Sequence, residues 1–468
     1  MTAFVKKLFE PDKLIKASDW VGEKPGTREV YSTLWRVAWP SALESVLVGL
    51  IAFFDTVMVG TVGSSAIAAV GLTNQPRLVF FAVFFALNVG VTAVVSRRRG
   101  QEDSRSANRC LGQAVMLVII ISVILCAVAV VFSRPFLYFA GANEDTIEDS
   151  VSYFRITMVG MSFTALGMVI NAAQRGSGNT RISMTTNLTA NIINIVLNYL
   201  LIGGNFGFPR LEVRGAAIAT LMGNIVACVM SIISVSRQGR FLKLRLKYCF
   251  TFDRENLALI TKIASSAAVE QVFMRIGFFL YAKIVASLGT QAFATHQICM
   301  SIINLSFTFG DGLGIAASSL VGQNLGRKRP DLSSVYGKAG QRVGFVISMM
   351  LFVLFSCFGR QLMGLFTDEQ PIISTGVKIL YIVAFSSIAQ VSQVIFSGCL
   401  RGAGDTKYVA VTSLVCIALV RPVVTYLFCY TASWGVIGAW ASLIIDQYMR
   451  LAFSFSRFEK GKWKKIKI

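Results

Sequence analysis

Histidine occurs once in this 468-residue chain, acidic residues only 24 times, and charged residues of both signs make up just 15% of it. Each scarcity excludes something. A single histidine, His296 in Ala294-Thr-His-Gln-Ile298, argues against a His-based metal centre and reads as an interfacial residue rather than a proton relay. Soluble domains carry roughly 25% charged residues; with 54% hydrophobic residues and a mean hydropathy of +0.63, this chain has too little polar surface for a water-soluble globule. The nine cysteines form no Cys-x-x-Cys pair. Cys126, Cys228, Cys299, Cys357, Cys416 and Cys429 lie within apolar runs, so neither a zinc site nor a disulfide framework is expected. No Gly-x-x-x-x-Gly-Lys-[Ser/Thr] loop is present, which argues against direct drive by nucleotide hydrolysis. The connections also lack the clustered acids or His–acid pairs of a polytopic membrane enzyme, so no catalysis and no cofactor are expected.

What the chain does have is apolar length. Runs of about 20 apolar residues place helices near 34–60, 66–96, 110–132, 146–174, 181–202, 213–236, 256–288, 292–322, 341–358, 374–399, 407–430 and 433–456. The expected fold is an all-α polytopic membrane protein of twelve transmembrane helices in two six-helix bundles. The formal charge of +21 is arranged by topology. Lys6, Lys7, Lys13, Lys16, Lys24 and Arg28 precede the first helix, and Arg97, Arg98, Arg99, Arg105 and Arg109 fill the second connection. Arg237, Arg240, Lys243, Arg245 and Lys247 fill the sixth, Arg327, Lys328 and Arg329 the eighth, and Lys460, Lys462, Lys464, Lys465 and Lys467 the tail. All fall on one side of the membrane, opposite the acids Glu144, Asp145, Glu148, Asp368 and Glu369. The positive-inside bias then puts both termini in the cytoplasm of a cell-membrane protein. The basic excess implies contact with anionic lipid rather than nucleic acid. The first thirty residues are polar and charged, and are not expected to be a cleavable signal.

Two phrases nearly match at an offset of 226: Gln174-Arg-Gly-Ser-Gly-Asn-Thr-Arg181 and Leu400-Arg-Gly-Ala-Gly-Asp-Thr-Lys407. At the same offset Ala42, Glu44 and Val46 pair with Ala268, Glu270 and Val272, and Phe53, Val59, Gly63 and Ala66 with Phe279, Val285, Gly289 and Ala292. A duplicated six-helix unit enters the membrane twice in the same orientation, as in transporters built from parallel repeats. The expected organisation is an N-terminal segment 1–30, a first bundle 31–236, a basic linker 237–255, a second bundle 256–456 and a tail 457–468. Substrate is expected in the cleft between the bundles. In the repeated phrase, glycines supply a helix end and a turn, and Thr180 and Thr406 are expected to cap the next helix.

Polar residues inside apolar helices carry the functional expectations. Asp55, in Phe53-Phe-Asp-Thr-Val-Met-Val-Gly60, costs roughly 2.5–3.5 kcal/mol at such a position and is a functional candidate by default. It can titrate or hold a sodium ion. Asn187, Asn191, Asn194 and Asn198 share one helical face; Asn194, Asn198 and Thr220 lie at the depth of Asp55. Together these four are the expected cation-coupling group, with Asp55 as a candidate sodium ligand. A gapless offset of 226 pairs Asp55, Asn194 and Asn198 with Tyr281, Val420 and Val424, so the polar group belongs to the first repeat. Substrate-cavity candidates are Glu44, Gln174, Glu270, Asp311, Arg421 and Asp446. Glu44 and Glu270 occupy equivalent positions and are either cavity lining or structural pairs. Arg421 with Asp446 (or Asp311) reads as a neutralising pair.

These residues also carry a resemblance. Asp55-Thr-Val-Met-Val-Gly60, both Arg-Gly-x-Gly-x-Thr turns, Gly215-Ala-Ala-Ile-Ala-Thr220, Ala294-Thr-His-Gln-Ile298 and Val321-Gly-Gln-Asn-Leu-Gly326 resemble, over essentially the whole chain, the multidrug and toxic compound extrusion (MATE) transporters. The resemblance implies a twelve-helix antiporter that exports small, often cationic, organic molecules in exchange for protons or sodium ions. It also implies that Asp55 is the coupling carboxylate, with Asn194 and Thr220 as neighbours. Asn198 stands where the DinF-like branch commonly has an aspartate, and the tenth helix lacks the acid of the NorM-like branch; both departures leave the ion open. A monomer is expected. The alternative is a lipid-linked precursor flippase, which needs cavity cations for phosphates; Arg275, Lys283 and Arg421 are the candidates.

Overall fold

The computed structural model describes residues 9–60, 62, 64–140, 144–237, 241–251 and 253–466. Within these, side chains 48–57, 59, 60 and 64–68 and those of Gln75, Asp145, Leu246, Thr290 and Leu305 lie outside the description. Among the described residues there are twelve helices of 24 to 37 residues and no strand. They are α1 (Thr27–Gly60), α2 (Ser64–Gly100), α3 (Ser104–Val131), α4 (Glu144–Gly176), α5 (Thr180–Gly203), α6 (Glu212–Ser236), α7 (Arg254–Ala286), α8 (Thr290–Gly326), α9 (Pro330–Cys357), α10 (Gln370–Gly402), α11 (Thr406–Thr431) and α12 (Gly435–Glu459). Helices α2 to α11 are long and apolar enough to cross a membrane. The chain is a multi-pass membrane protein with the twelve-helix layout expected from its sequence.

The duplication is visible in the helix starts. Helices α2 to α5 begin at residues 64, 104, 144 and 180, and α8 to α11 at 290, 330, 370 and 406, each 226 later. The short helices Ser133–Phe139 and Gly359–Gly364 follow α3 and α9 at the same offset. The first and last helices of the repeat depart from it: α7 starts at 254, one residue more than 226 after the start of α1 at 27. Helix α6 starts at 212, and α12 at 435 rather than the 438 that the common offset would give, because the connection before α12 is shorter. Helix α11 is not regular: Leu414–Val420 and Leu427–Thr431 are π-helical, on either side of Arg421–Tyr426. Pro422 has no N–H for the helical ladder, and a π turn accommodates an extra residue.

Compactness divides the chain differently from the repeats. Leu43–Ala264 form one unit (the N-unit), and Met1–Ala42 with Ser265–Ile468 the other (the C-unit). Helices α1 and α7 therefore each belong partly to one unit and partly to the other. In the C-unit, Val30, Leu34, Val37 and Ala38 form one apolar stripe at helical spacing. This stripe is buried in a cluster with Leu313, Ala316 and Leu320 of α8 and Val391 and Ile395 of α10. The segment before α1 joins the same unit: Leu14 is buried in that cluster, the Val21 N–H donates to Asp331 (3.3 Å), and Arg329 donates to the Glu23 carbonyl (2.8 Å). In the N-unit the first part of α7 lies against α2, so that a Cβ on Gly90 would come 2.9 Å from the Ile260 carbonyl oxygen.

The C-unit core is built on the crossing of α8 and α10, where small residues let backbones meet. A Cβ at Gly398 would strike the Gly314 carbonyl, and one at Gly402 the Ser318 carbonyl. Replacing Gly398 with Val should cost about 1–3 kcal/mol of overpacking or more, read as a lower thermal midpoint of the detergent-purified protein. An unchanged midpoint would mean that the two helices do not cross there.

Candidate functional site

Each repeat encloses a glutamate on its first helix, and each glutamate has an arginine. In the N-unit Arg175 lies 3.7 Å from Glu44. Ser183 donates to Glu44 (2.9 Å), Arg175 donates to Ser183 (2.8 Å), and the Asn187 amide donates to the same carboxylate. In the C-unit Arg401 forms an ion pair with Glu270, and Ser413 donates to that carboxylate (3.4 Å). Asn187 and Ser413 stand at the common offset of 226, as do Arg175 and Arg401. These arginines belong to the repeated phrase, whose glycines make the same turn twice. Gly178 has φ +88° and Gly404 φ +84°, a left-handed conformation that residues with a Cβ resist. Asn179 N–H donates to the Gln174 carbonyl and Asp405 N–H to the Leu400 carbonyl (2.9 and 2.8 Å). The threonines do not cap as expected. Thr180 and Thr406 are the first helical residues, and the cap positions belong to Asn179 and Asp405, neither of which makes a side-chain cap bond. Asp405 instead binds Arg457 (2.7 Å).

Three residues of the expected coupling group, Asn194, Asn198 and Thr220, come together where α5 meets α6. Asn198 donates to the Asn194 amide oxygen (3.3 Å), Asn194 donates to the Thr220 hydroxyl (3.4 Å), and Thr220 donates to the Ala216 carbonyl (2.9 Å). Asn194 and Asn198 are buried. Amide and hydroxyl oxygens within one hydrogen-bonded group offer hard ligands for a small cation, or acceptors around a titrating acid. The Asp55 side chain lies outside the described residues.

The second repeat fills the corresponding place differently, and the irregularity of α11 changes which residue stands there. The Leu201 carbonyl accepts from Leu211 N–H, the cap residue of α6 (2.8 Å); the Phe428 carbonyl accepts from Trp434 N–H, the cap residue of α12 (3.0 Å). Gly215 packs on Leu201, and Gly438 on Phe428. The offset is therefore 226 at Ser413 but 227 at Phe428: one residue is inserted in α11, which the first π segment accommodates. Past it, Asn194 and Asn198 correspond to Arg421 and Thr425, not to Val420 and Val424 as a gapless count implies. Gly223 of α6 likewise corresponds to Asp446 of α12.

Arg421 is 1% exposed and Asp446 0%. They form an ion pair, and Arg450 binds the same carboxylate oxygen at 3.0 Å. The Arg421 guanidinium also lies over the rings of Phe278 (5.0 Å) and Tyr281 (5.9 Å), favourable contacts for a desolvated cation. Tyr281 is the counterpart of Asp55. A fixed guanidinium thus stands in the second repeat where the first has the amide of Asn194.

Gln174 is buried and donates to Ser234 of α6 (3.0 Å), a link between helices. Asp311 is exposed on α8 and makes no ion pair among the described residues. His296 is buried against Tyr281 (5.4 Å), Trp440 (5.5 Å) and Phe293 (6.1 Å). The sequence reading missed Arg175, Arg401 and Arg450. The first two were readable from the offset they share with the glutamates, and Arg450 from its i,i+4 spacing to Asp446.

Neutralising Asp446 leaves two buried guanidinium groups without a counter-charge. Asp446→Asn should cost about 3–5 kcal/mol, measured as loss of the thermal midpoint and of monodisperse protein on gel filtration. A stable Asp446→Asn variant would contradict the buried cluster.

Comparison with known proteins agrees with this architecture. The MatE family model matches the chain twice, over residues 40–200 and 266–427. The starts of the two matches, 40 and 266, keep the common offset. The chain is 26% identical over 438 residues to the uncharacterized transporter YisQ of Bacillus subtilis, covering 92% of this chain and 94% of that one. It is 27% identical over 444 residues to the probable multidrug resistance protein NorM of Thermotoga maritima, covering 93% and 94%. Its fold is similar to that of a MOP superfamily transporter from Pyrococcus furiosus, with TM-score 0.87 at 20% identity over 94% of this chain and 97% of that one. An outward-facing multidrug resistance MATE family transporter of the MOP superfamily superposes with TM-score 0.86, at 20% identity over 92% and 97%. The chain belongs to the MatE family, the multidrug and toxic compound extrusion transporters.

Proposed function

We propose that the protein is a secondary antiporter that exports small organic molecules, cationic ones among them, in exchange for protons or sodium ions by alternating access. The coupling cation binds in the first repeat, at Asp55 with Asn194, Asn198 and Thr220. The observation that carries this reading is the asymmetry between the repeats. The hydrogen-bonded Asn194–Asn198–Thr220 group has as its second-repeat counterpart Arg421, already held by Asp446. A permanent positive charge there leaves no need for an ion from solution. Occupation of the first-repeat group is then the event that shifts the equilibrium between outward- and inward-open states, through its differential affinity for them.

Asp311 supports a cationic substrate. The Asp311 carboxylate is exposed on a membrane helix, and the cation that acts on it among the described residues, Arg401, is beyond ion-pair distance and already held by Glu270; a carboxylate so placed stays charged only beside water or a further cation. The flippase reading loses one of its three candidate phosphate ligands, since Arg421 is buried and neutralised. The proposal includes a monomeric working unit, because one chain carries both repeats.

The test is efflux of a fluorescent lipophilic cation from proteoliposomes, with sodium and pH gradients imposed separately. Wild type should respond to one of them, and Asp55→Asn should lose that response while keeping its gel-filtration profile. Transport by Asp55→Asn at the wild-type rate under the same gradient would refute the assignment. Asp311→Asn should weaken export of the cation while leaving a neutral substrate unaffected.

A further inference from the structure

A cavity lies among the basic connections of the N-unit. The start of α3 and the connection into α7 enclose it, with a volume of about 770 Å³. Its walls carry Arg105 and Arg109 from α3, Arg245 and Lys247 from the connection, Arg254 from the start of α7, and a single carboxylate, Asp253.

The walls are held in place from inside. Gln113, 0% exposed, donates its amide to the carbonyls of Tyr248 (2.9 Å) and Thr251, and its oxygen accepts from Asp253 N–H (3.4 Å). Asn108 accepts from Lys243 N–H (2.7 Å). The acid is already engaged, by Arg109 at 3.7 Å and by the amide of Asn256 at 3.0 Å. Among the described residues, Arg105, Arg245, Lys247 and Arg254 form no ion pair. Four like charges around one ordered cavity repel one another, and a fold that fixes both walls retains that repulsion unless an anion relieves it. Arginines with forked donors and a lysine as a point charge suit phosphate oxygens.

We infer that this cavity is a binding site for a phosphate-bearing anion. Its position, among the basic connections that the positive-inside bias assigns to the leaflet richest in anionic lipid, makes a phosphodiester headgroup the first ligand to test. A soluble phosphate shares the chemistry.

The experiment uses the full-length protein in a neutral detergent. Thermal midpoints are followed while short-chain phosphatidylglycerol, phosphatidylcholine of the same chain length, or inorganic phosphate is added. Phosphatidylglycerol should give a saturable rise that phosphatidylcholine does not. The double variant Arg245→Ala/Lys247→Ala should bind it roughly 30-fold more weakly, the loss expected for two basic contacts. Arg105→Ala/Arg254→Ala, which changes the other two unpaired cations, gives an independent variant should the first fold poorly. Lys464→Ala/Lys465→Ala, which removes as much charge from the tail, should leave the effect intact. A saturable rise with inorganic phosphate, lost in the same pocket variants, supports the site and assigns it to a soluble phosphate. Pocket variants that respond like wild type, a tail variant that loses the effect equally, or no response of wild type to any of the anions would overturn the inference.

Discussion

A carboxylate cannot be left alone inside a lipid bilayer, and each half of this chain meets that constraint with the same arginine. Glu44 is held by Arg175 and Glu270 by Arg401, a pairing repeated at a constant spacing. The arginine stands at the end of the fourth helix of its repeat, just before a turn that needs a glycine at positive φ. The glutamate stands on the first. One ion pair therefore ties the first helix of the repeat to the end of the fourth, and the serine or asparagine that completes it ties in the fifth. The placement has a consequence for α1 and α7. Both leave one compact unit for the other within a few residues of their glutamate, between Ala42 and Leu43 and between Ala264 and Ser265. The pair anchors the portion of each helix that stays with its own repeat, and the remainder packs elsewhere.

On that common frame the two halves have diverged most tellingly at the junction of their fifth and sixth helices. The first repeat keeps an uncharged hydrogen-bonded group at the junction of its fifth and sixth helices. The second inserts one residue, turns part of α11 into π-helix, and brings Arg421 to the same junction. The positive charge is then answered by Asp446, at a position where the first repeat has Gly223, and shared with Arg450. Such a triad is costly to desolvate and is weak evidence for stability by itself. Its meaning comes from where it stands. A fixed guanidinium stands in one half, and amide and hydroxyl oxygens stand at the equivalent junction of the other.

Much of this was legible in the sequence, and the parts that were not have physical reasons. Apolar runs located every membrane helix, because lipid demands about 20 apolar residues per crossing. The repeat was legible because helix lengths in a bilayer are constrained, so a duplicated chain keeps its spacing. The grouping of Asn194, Asn198 and Thr220 followed from helical periodicity and depth. The partners of Glu44 and Glu270 were passed over although Arg175 and Arg401 keep the offset of the glutamates, since a contact between positions so distant along the chain leaves no local pattern that pairs them. Arg421 was seen as a charge but placed one position off its equivalent. A π turn adds its residue inside a helix and breaks no apolar run, so a gapless comparison passes over it. The folding of the basic connection around Gln113 was illegible for another reason: an amide that satisfies backbone groups of an irregular segment has no periodicity to betray it.

If only the first repeat takes a cation from solution, a single exchangeable cation serves the whole chain, and the number bound can be counted. The purified protein should be titrated with radioactive sodium, and separately with acid under pH-stat conditions, with the bound ion expressed per chain. One saturable site, insensitive to loss of His296 and abolished by Asp55→Asn, is the predicted result. Two sites per chain, or one site that survives Asp55→Asn, would contradict the account.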